Sequence, residues 1–318
     1  MSNGIEKIDK LVSVLVISYN SSEYIIQTLE SIKKQTYLNV ELVVSDDFSD
    51  DNTIEKVDEW ININSLRFSR VVVIRNNENL GIPKNINSGL LKCEGCYIKL
   101  IAADDVLDNN CIKDNYSICE EYGYRVVFSN MLAFYEEDIN NTSLWEYLGA
   151  KAYFEMDSKM QHRTLAFKNF PYAPTSFFES KVIKEVGNFD ERYKYMEDYP
   201  MWFKITAQGI KLNYLDKPTV FYRIHKKSIS NSKDDALIPS KKYYVCERAF
   251  FYRTRLSYLL KHGQLFRLFL CLVYFVYSDM IILFGIKSNK FTKTLRMILL
   301  FDSSQFRYIF STVIKRYR

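Results

Sequence analysis

Glycine and proline are scarce in this chain of 318 residues, with 10 and 6 copies, and histidine occurs only three times. That balance excludes collagen-like, low-complexity and disordered classes. Of the six cysteines, only Cys93 and Cys96 form a CxxC, and no second pair stands at zinc-binding spacing. With so little histidine a zinc site is disfavoured, and the thiols read as reduced and cytosolic. No GxGxxG follows a predicted strand and no GxxxxGK occurs anywhere. Dehydrogenases with the dinucleotide fingerprint and P-loop NTPases are therefore disfavoured. A chain without those glycine loops must meet phosphate charge with a cation and basic side chains. Internal repeats and Gly/Ser linkers are also missing. The first apolar run, Val12–Ile17, is too short for a signal peptide and leads into polar residues, so a cytosolic protein is expected.

What is present is an ordinary globular balance, 47% hydrophobic and 25% charged, with 24 tyrosines and 22 phenylalanines. The net charge of +5 is unevenly placed. From Lys241 onward, 15 Lys/Arg stand against Glu247, Asp279 and Asp302, so the tail carries +12 and the first 240 residues −7. An acidic body with a basic, aromatic tail suggests that the tail meets an anionic partner. The body does not look like a nucleic-acid binder, and no nucleic-acid partner is expected. An anionic membrane surface suits the tail.

Short apolar runs alternate with amphipathic ones. Strands are expected over Leu11–Ile17, Val40–Ser45, Arg70–Arg75 and Cys96–Ala102, since these runs are continuous and mostly β-branched. Helices are expected between them. One follows Ser21 or Ser22 as cap and carries Ile25, Ile26, Leu29 and Ile32 on one face; the others cover Thr53–Ile63 and 82–92. This alternation predicts an α/β fold with a mostly parallel, Rossmann-like sheet flanked by helices. Ligands of such sheets bind beyond the carboxyl ends of the strands. The segments there are Ser18–Asn20, Asp46–Asp51 and Ala103–Asp105, two of them acidic. Past Tyr124 the pattern changes to mixed strands and short helices up to about residue 230, and a helical tail follows.

Adjacent acids after a buried strand are costly unless a cation or strong donors neutralise them. Asp104 and Asp105 either ligate Mg²⁺ or Mn²⁺, or divide between capping a helix expected over 106–122 and solvation. Asp50 or Asp51 is expected to cap the helix at Thr53, whereas Asp46 and Asp47 lie too early for that and favour a ligand. Glu197 and Asp198 precede an amphipathic helix containing Trp202, Phe203 and Ile205. Taken alone, that pair reads as a cap.

In order along the chain, Val12–Asn20 (VSVLVISYN), Leu29–Ile32 with Gln35 and Thr36, and Val43–Thr53 (VVSDDFSDDNT) resemble the opening blocks of family 2 glycosyltransferases of the GT-A fold. Asn79–Gly81 with Asn87 and Gly89 is similar to the next block, and Ala102–Asp105 to a DxD-type metal motif. Val186–Glu191, Met196–Asp198 and Trp202 resemble the acceptor-side block. Tyr222–His225 with Ser228 resembles the block that closes the domain. The resemblance implies an inverting enzyme that uses a nucleotide sugar, most commonly a uridine one, with Mn²⁺ or Mg²⁺. Tyr19 and Asp47 then hold the base, with Asp46 nearby. Asp104 touches the ribose or donor sugar, Asp105 binds the metal on the pyrophosphate, and Asp198 is the general base. His225 either approaches the metal or phosphates or is an ordinary hydrogen-bonded histidine. An arginine often found before the asparagine of the third block is here Ile86, which leaves Lys84 for the phosphates. The QxxRW motif of processive synthases is missing, which favours a single addition of a hexosyl or N-acetylhexosaminyl group.

The resemblance implies a catalytic domain over 1–232, with a nucleotide half at about 11–105 and an acceptor half at about 106–232; charge and pattern leave a basic, aromatic helical C-terminal region over 233–318. The acceptor is expected to be a saccharide or lipid-linked saccharide of bacterial surface polysaccharide. A sugar-phosphate nucleotidyltransferase and an inactive membrane-associated scaffold are the alternatives. In the tail, Leu268–Ile286 is interrupted only by Ser278 and Asp279. A spanning helix needs about 20 apolar residues, and an uncompensated Asp near its centre costs about 2.5–3.5 kcal/mol. Peripheral contact with the inner face of the membrane is thus expected over crossing it, against packing on the chain itself or in a homodimer.

Overall fold

The computed structural model describes residues 9–136, 138–145, 150–225, 240–286, 292 and 294. It falls into two compact units. One groups the residues up to Leu132 with Pro174–Asn188 and Leu215–Tyr222; the other holds Ala133–Ala173, Phe189–Tyr214 and the residues from Arg223 on. The expected boundary at 232/233, Ser228 and Lys287 lie outside the described residues.

The first unit begins β1 (Val12–Ser18), α1 (Ile25–Lys33), β2 (Val40–Asp46), α2 (Thr53–Asn64), β3 (Arg70–Arg75), α3 (Ile82–Leu90), β4 (Tyr97–Ala102). It continues with β5 (Val106–Leu107), α4 (Cys111–Tyr122) and the start of β6 (Val126–Tyr135). The four long runs pair in parallel in the order β3-β2-β1-β4, with Ser18 opposite Asp46 at the carboxyl end. Their residues are buried on both faces in β1 and β2, which is why those strands read as unbroken apolar runs. α3 packs on β1 and β2. Gly89 permits that approach, because a Cβ there would collide with the Leu15 side chain.

Beyond β4 the sheet turns antiparallel through β8 (Phe177–Glu179), β6, β9 (Asn213–Ile224) and β5. α7 (Ser180–Val186) directly follows β8. The expectations for the starts of α1 and α4 are corrected, and that for Asp51 before α2 holds. α1 starts at Ile25 behind Tyr24, with no side-chain cap, so neither Ser21 nor Ser22 caps it. Asp51 accepts from the Thr53 N–H at 3.0 Å, as an acid before a helix should. α4 starts at Cys111, not Val106, because residues 106–107 pair with β9; neither Asp104 nor Asp105 is its cap.

The second unit contains β7 (Thr142–Trp145), α5 (Ala150–Glu155), α6 (Ser158–Leu165), α8 (Asp198–Ala207), α9 (Lys241–Phe250), α10 (Leu256–Lys261) and α11 (Leu265–Phe284). The tail is integral to it. α6 packs on α8. Phe250 meets Tyr193, Tyr199 and Phe203 edge-on, and Tyr258 meets His162 and Phe203. Arg255, 2% exposed, donates to the carbonyls of Ala166 and Phe167 at the end of α6. Hydrogen bonds made by a charged group contribute about 1.5–3 kcal/mol each. Asp279 is not uncompensated, since it accepts from Tyr244 Oη at 2.7 Å and Arg248 at 2.9 Å. One face of α11 (Leu268, Cys271, Phe275, Ile281) is buried, while Phe266, Phe269, Val276 and Leu283 stay exposed.

Candidate functional site

The acids at the strand tips of the first unit are held by different partners. Asp46, 2% exposed, ends β2. Its carboxylate accepts from Ser18 Oγ at 2.7 Å, from Ser49 Oγ at 2.6 Å and from the Ser49 N–H at 2.8 Å. Asp46 thereby locks the ends of β1 and β2 to the following loop. Asp47, 4% exposed, accepts the backbone N–H of Leu80 and of Gly81, each at 2.8 Å. Gly81 has φ 86° and ψ 166°, a region that only glycine occupies comfortably, so the Asn79–Gly81 motif is a backbone requirement. With a long bond from Asn76 Nδ2 at 3.5 Å, these donors use three of the roughly four acceptor positions of a carboxylate, which leaves Asp47 room for a further donor.

Beneath this loop the buried Asn85 donates to the Ser45 carbonyl at 3.0 Å and accepts from Asn76 at 3.0 Å. Lys84 lies exposed in the first turn of α3, where backbone N–H groups and the helix dipole favour an anion. Ile86 is fully buried, so position 86 serves the core in this chain. Tyr19 follows β1 and is 50% exposed.

After β4, Asp104 is half-buried and Asp105 is 1% exposed. Thr28 of α1 fixes this turn by donating to the carbonyls of Ala103 at 2.9 Å and Asp105 at 2.7 Å. Among the described residues, no group of three or more His, Cys, Asp or Glu could hold a metal ion. A magnesium-like cation needs only one or two carboxylates when substrate phosphates and waters complete its shell. The Asp104–Asp105 turn fits a cation of that kind, arriving with its substrate, and not a closed resident site.

The other two predicted site residues belong to the second unit. Asp198 opens α8, and Glu197 before it makes no capping bond through its side chain. Asp198 Oδ2 instead accepts from Asn169 Nδ2 at 2.7 Å. Burial raises the pKa of both acids; bonds from Asn169 and the Tyr199 N–H favour the charged form of Asp198. Glu197, pushed up to about 8 by burial and then by the charge of Asp198, holds the proton. Of this coupled pair, Asp198 is the acid whose hydrogen-bond donors favour the charged form, which is the form a general base needs. His225 is 7% exposed at the end of β9.

Residues 13–186, more than half of the chain, match the family described as "Glycosyl transferase family 2". The chain belongs to that family. It is a glycosyltransferase, which sets aside the nucleotidyltransferase alternative. WfaP of Escherichia coli, a UDP-Glc:α-D-GlcNAc-diphosphoundecaprenol β-1,3-glucosyltransferase, is 29% identical over 229 residues, covering 72% of this chain and 83% of its own. Glycosyltransferase GlyG of Streptococcus pneumoniae serotype 4 is 33% identical over 131 residues, 41% of this chain and 42% of its own. S. aureus TarS 1-349 in complex with UDP-GlcNAc aligns with a TM-score of 0.57 and 22% identity. That alignment covers 75% of this chain and 64% of the TarS chain, under two thirds of its length. The likeness establishes the expected GT-A fold for the transferase.

Asn169, which donates to Asp198, and the left-handed, exposed Phe48 at the tip of β2 are features that sequence reasoning missed. Asn169 sits in a loop without a pattern, and Phe48 stands at a variable position of the DDxSxDxT segment.

The protonated Glu197 has a consequence for stability. Its folded pKa lies near 8 against an ordinary value of 4.5, so the folded state keeps a proton that the unfolded chain releases between those values. The associated stability is complete below about pH 4.5 and is lost as pH rises through about 8. Glu197→Gln removes this dependence. In thermal unfolding over a pH series, the melting temperature of the variant minus that of the parent should rise across this window. Parallel profiles would contradict the assignment.

Proposed function

We propose that this transferase moves a hexosyl or N-acetylhexosaminyl group, with inversion, from a UDP-sugar to a hydroxyl of a saccharide or lipid-linked saccharide in bacterial surface polysaccharide assembly. The substrate class is supported by WfaP and by a second E. coli relative, WfgD. Both carry names that specify UDP-Glc and a diphosphoundecaprenol-linked acceptor; WfgD is 28% identical over 229 residues, 71% of this chain and 81% of its own. The observation that carries the chemistry is Asp198 at the start of α8, braced by Asn169 Nδ2 at 2.7 Å and coupled to Glu197, whose pKa burial raises.

In this reading Asp198 takes the proton of the acceptor hydroxyl as that oxygen attacks the anomeric carbon. The bond from that carbon to the diphosphate breaks on the opposite face, and UDP leaves with the electron pair. Tyr19 stacks on the base, Asp47 accepts a hydrogen bond from it, and Asp46 fixes the loop between them. Asp104 contacts the ribose or donor sugar, and Lys84 a phosphate. Mn²⁺ or Mg²⁺ held by Asp105 would supply positive charge to the departing diphosphate. His225 would contact the cation or a phosphate.

Asp198→Asn keeps the shape of the side chain and removes the base. With radiolabelled UDP-glucose and a GlcNAc-diphospholipid acceptor, turnover should fall about 1,000-fold while UDP affinity is kept. Unchanged turnover would overturn the role of Asp198, and a parent enzyme inert toward a panel of UDP-sugars would favour an inactive scaffold.

The exposed apolar face of α11 and the basic tail support a position on the inner face of an anionic membrane. Binding to anionic phospholipid vesicles should drop at least several-fold in the double variant Phe269→Asp, Val276→Asp. A parent protein that stays in the supernatant with such vesicles would contradict membrane contact.

A further inference from the structure

Phe48 has φ +66°, a left-handed conformation that a bulky side chain adopts only at a cost. The surrounding bonds impose it. On one side, Asp47 donates its N–H to the Ser18 carbonyl at 2.9 Å and anchors its carboxylate on Leu80 and Gly81. On the other, both the N–H and the hydroxyl of Ser49 are held by Asp46. The residue between those two fixed points must turn left-handed, and glycine would do so without strain.

The turn explains the dihedral but not the phenylalanine. The ring contributes nothing to the core, since Phe48 is 54% exposed, and no ring or cation among the described residues stacks on it. Strain held at one place by an over-determined surrounding points to a use for the side chain.

Its position indicates that use. Phe48 lies two residues beyond β2, and the other exposed aromatic at this edge, Tyr19, lies one residue beyond β1. The two loops are stitched immediately after the aromatics. Asn20 donates its N–H to Ser49 Oγ at 2.8 Å, and the Asp50 N–H donates to Asn20 Oδ1 at 3.0 Å. Two open aromatic rings are thus carried on cross-linked tips of adjacent parallel strands, at the edge where such sheets bind ligands. A flat, π-rich group is the chemistry that such rings take up.

We propose that Phe48 is a nucleobase-stacking residue of the donor site, acting together with Tyr19. This rests on the nucleotide-sugar reading above. The base gains an apolar surface that Tyr19 alone does not supply, and recognition of the nucleoside becomes separable from recognition of its phosphates.

The test is calorimetric titration of UDP, and separately of inorganic pyrophosphate, in the presence of Mn²⁺, into the parent, Phe48→Gly and Phe48→Trp. Phe48→Gly should lower UDP affinity about 10-fold, leave pyrophosphate affinity unchanged and not lower the melting temperature. Phe48→Trp should retain UDP affinity. Equal UDP affinity in parent and Phe48→Gly would overturn the proposal while leaving the nucleotide reading intact. An equal loss for UDP and pyrophosphate would also overturn it, by assigning the effect to loop geometry. A parent that binds pyrophosphate but not UDP would remove the nucleotide reading and the proposal with it.

Discussion

The first unit is organised around one electrostatic constraint: acids gathered at the tips of buried parallel strands must each find donors or a cation. Asp46 finds Ser18 and Ser49, and Asp47 finds the backbone of Leu80 and Gly81. Those bonds draw the loop after β2 onto the end of β1 and onto the entry to α3. Remove them and three neighbouring features lose their basis: the left-handed Phe48, the glycine-only backbone of Gly81, and the helix start that carries Lys84. Asp105 meets the same constraint differently. Its turn is also secured through backbone carbonyls, by Thr28 of α1.

The second unit solves a similar problem with two acids in sequence. Donors from Asn169 and the start of α8 favour the charged form of Asp198, while burial and the neighbouring charge push Glu197 upward. Around them the tail supplies aromatic packing through Phe250 and Tyr258, and Arg255 satisfies the carbonyl end of α6. α11 accordingly has two apolar faces of different kinds, one consumed by this packing and one left outward. That division accounts for a segment whose composition alone resembles a membrane span.

Much of the first unit was legible in the sequence, because buried parallel strands write themselves as unbroken β-branched runs. β3 falls on the predicted residues, β2 and β4 differ by one residue at one end, and β1 by one residue at each end. The antiparallel continuation was not legible. β5 is two residues long and β8 three, too short for periodicity to declare, and β5 shifted the start of α4 by five residues. The caps at Ser21 and Ser22 failed because a chain with the right residue type nevertheless bonded elsewhere, Ser21 Oγ to the Tyr19 carbonyl. Among site residues, the acids were readable as clusters. The partner that distinguishes Asp198 from Glu197 was not, since Asn169 is 29 residues away in the chain. Tail packing escaped for a similar reason: whether an aromatic helix faces protein or lipid depends on contacts with α6 and α8 that no local pattern encodes.

The central claim is that the carboxyl edge of β1, β2 and β4 receives a nucleoside diphosphate together with a divalent cation. Calorimetric titration of UDP into the parent protein, with and without Mn²⁺, tests it most directly, with Asp105→Asn as the companion variant. The account predicts binding that Mn²⁺ strengthens in the parent, with the strengthening lost in Asp105→Asn. Absence of binding under either condition, or a Mn²⁺ effect unchanged in Asp105→Asn, would contradict it.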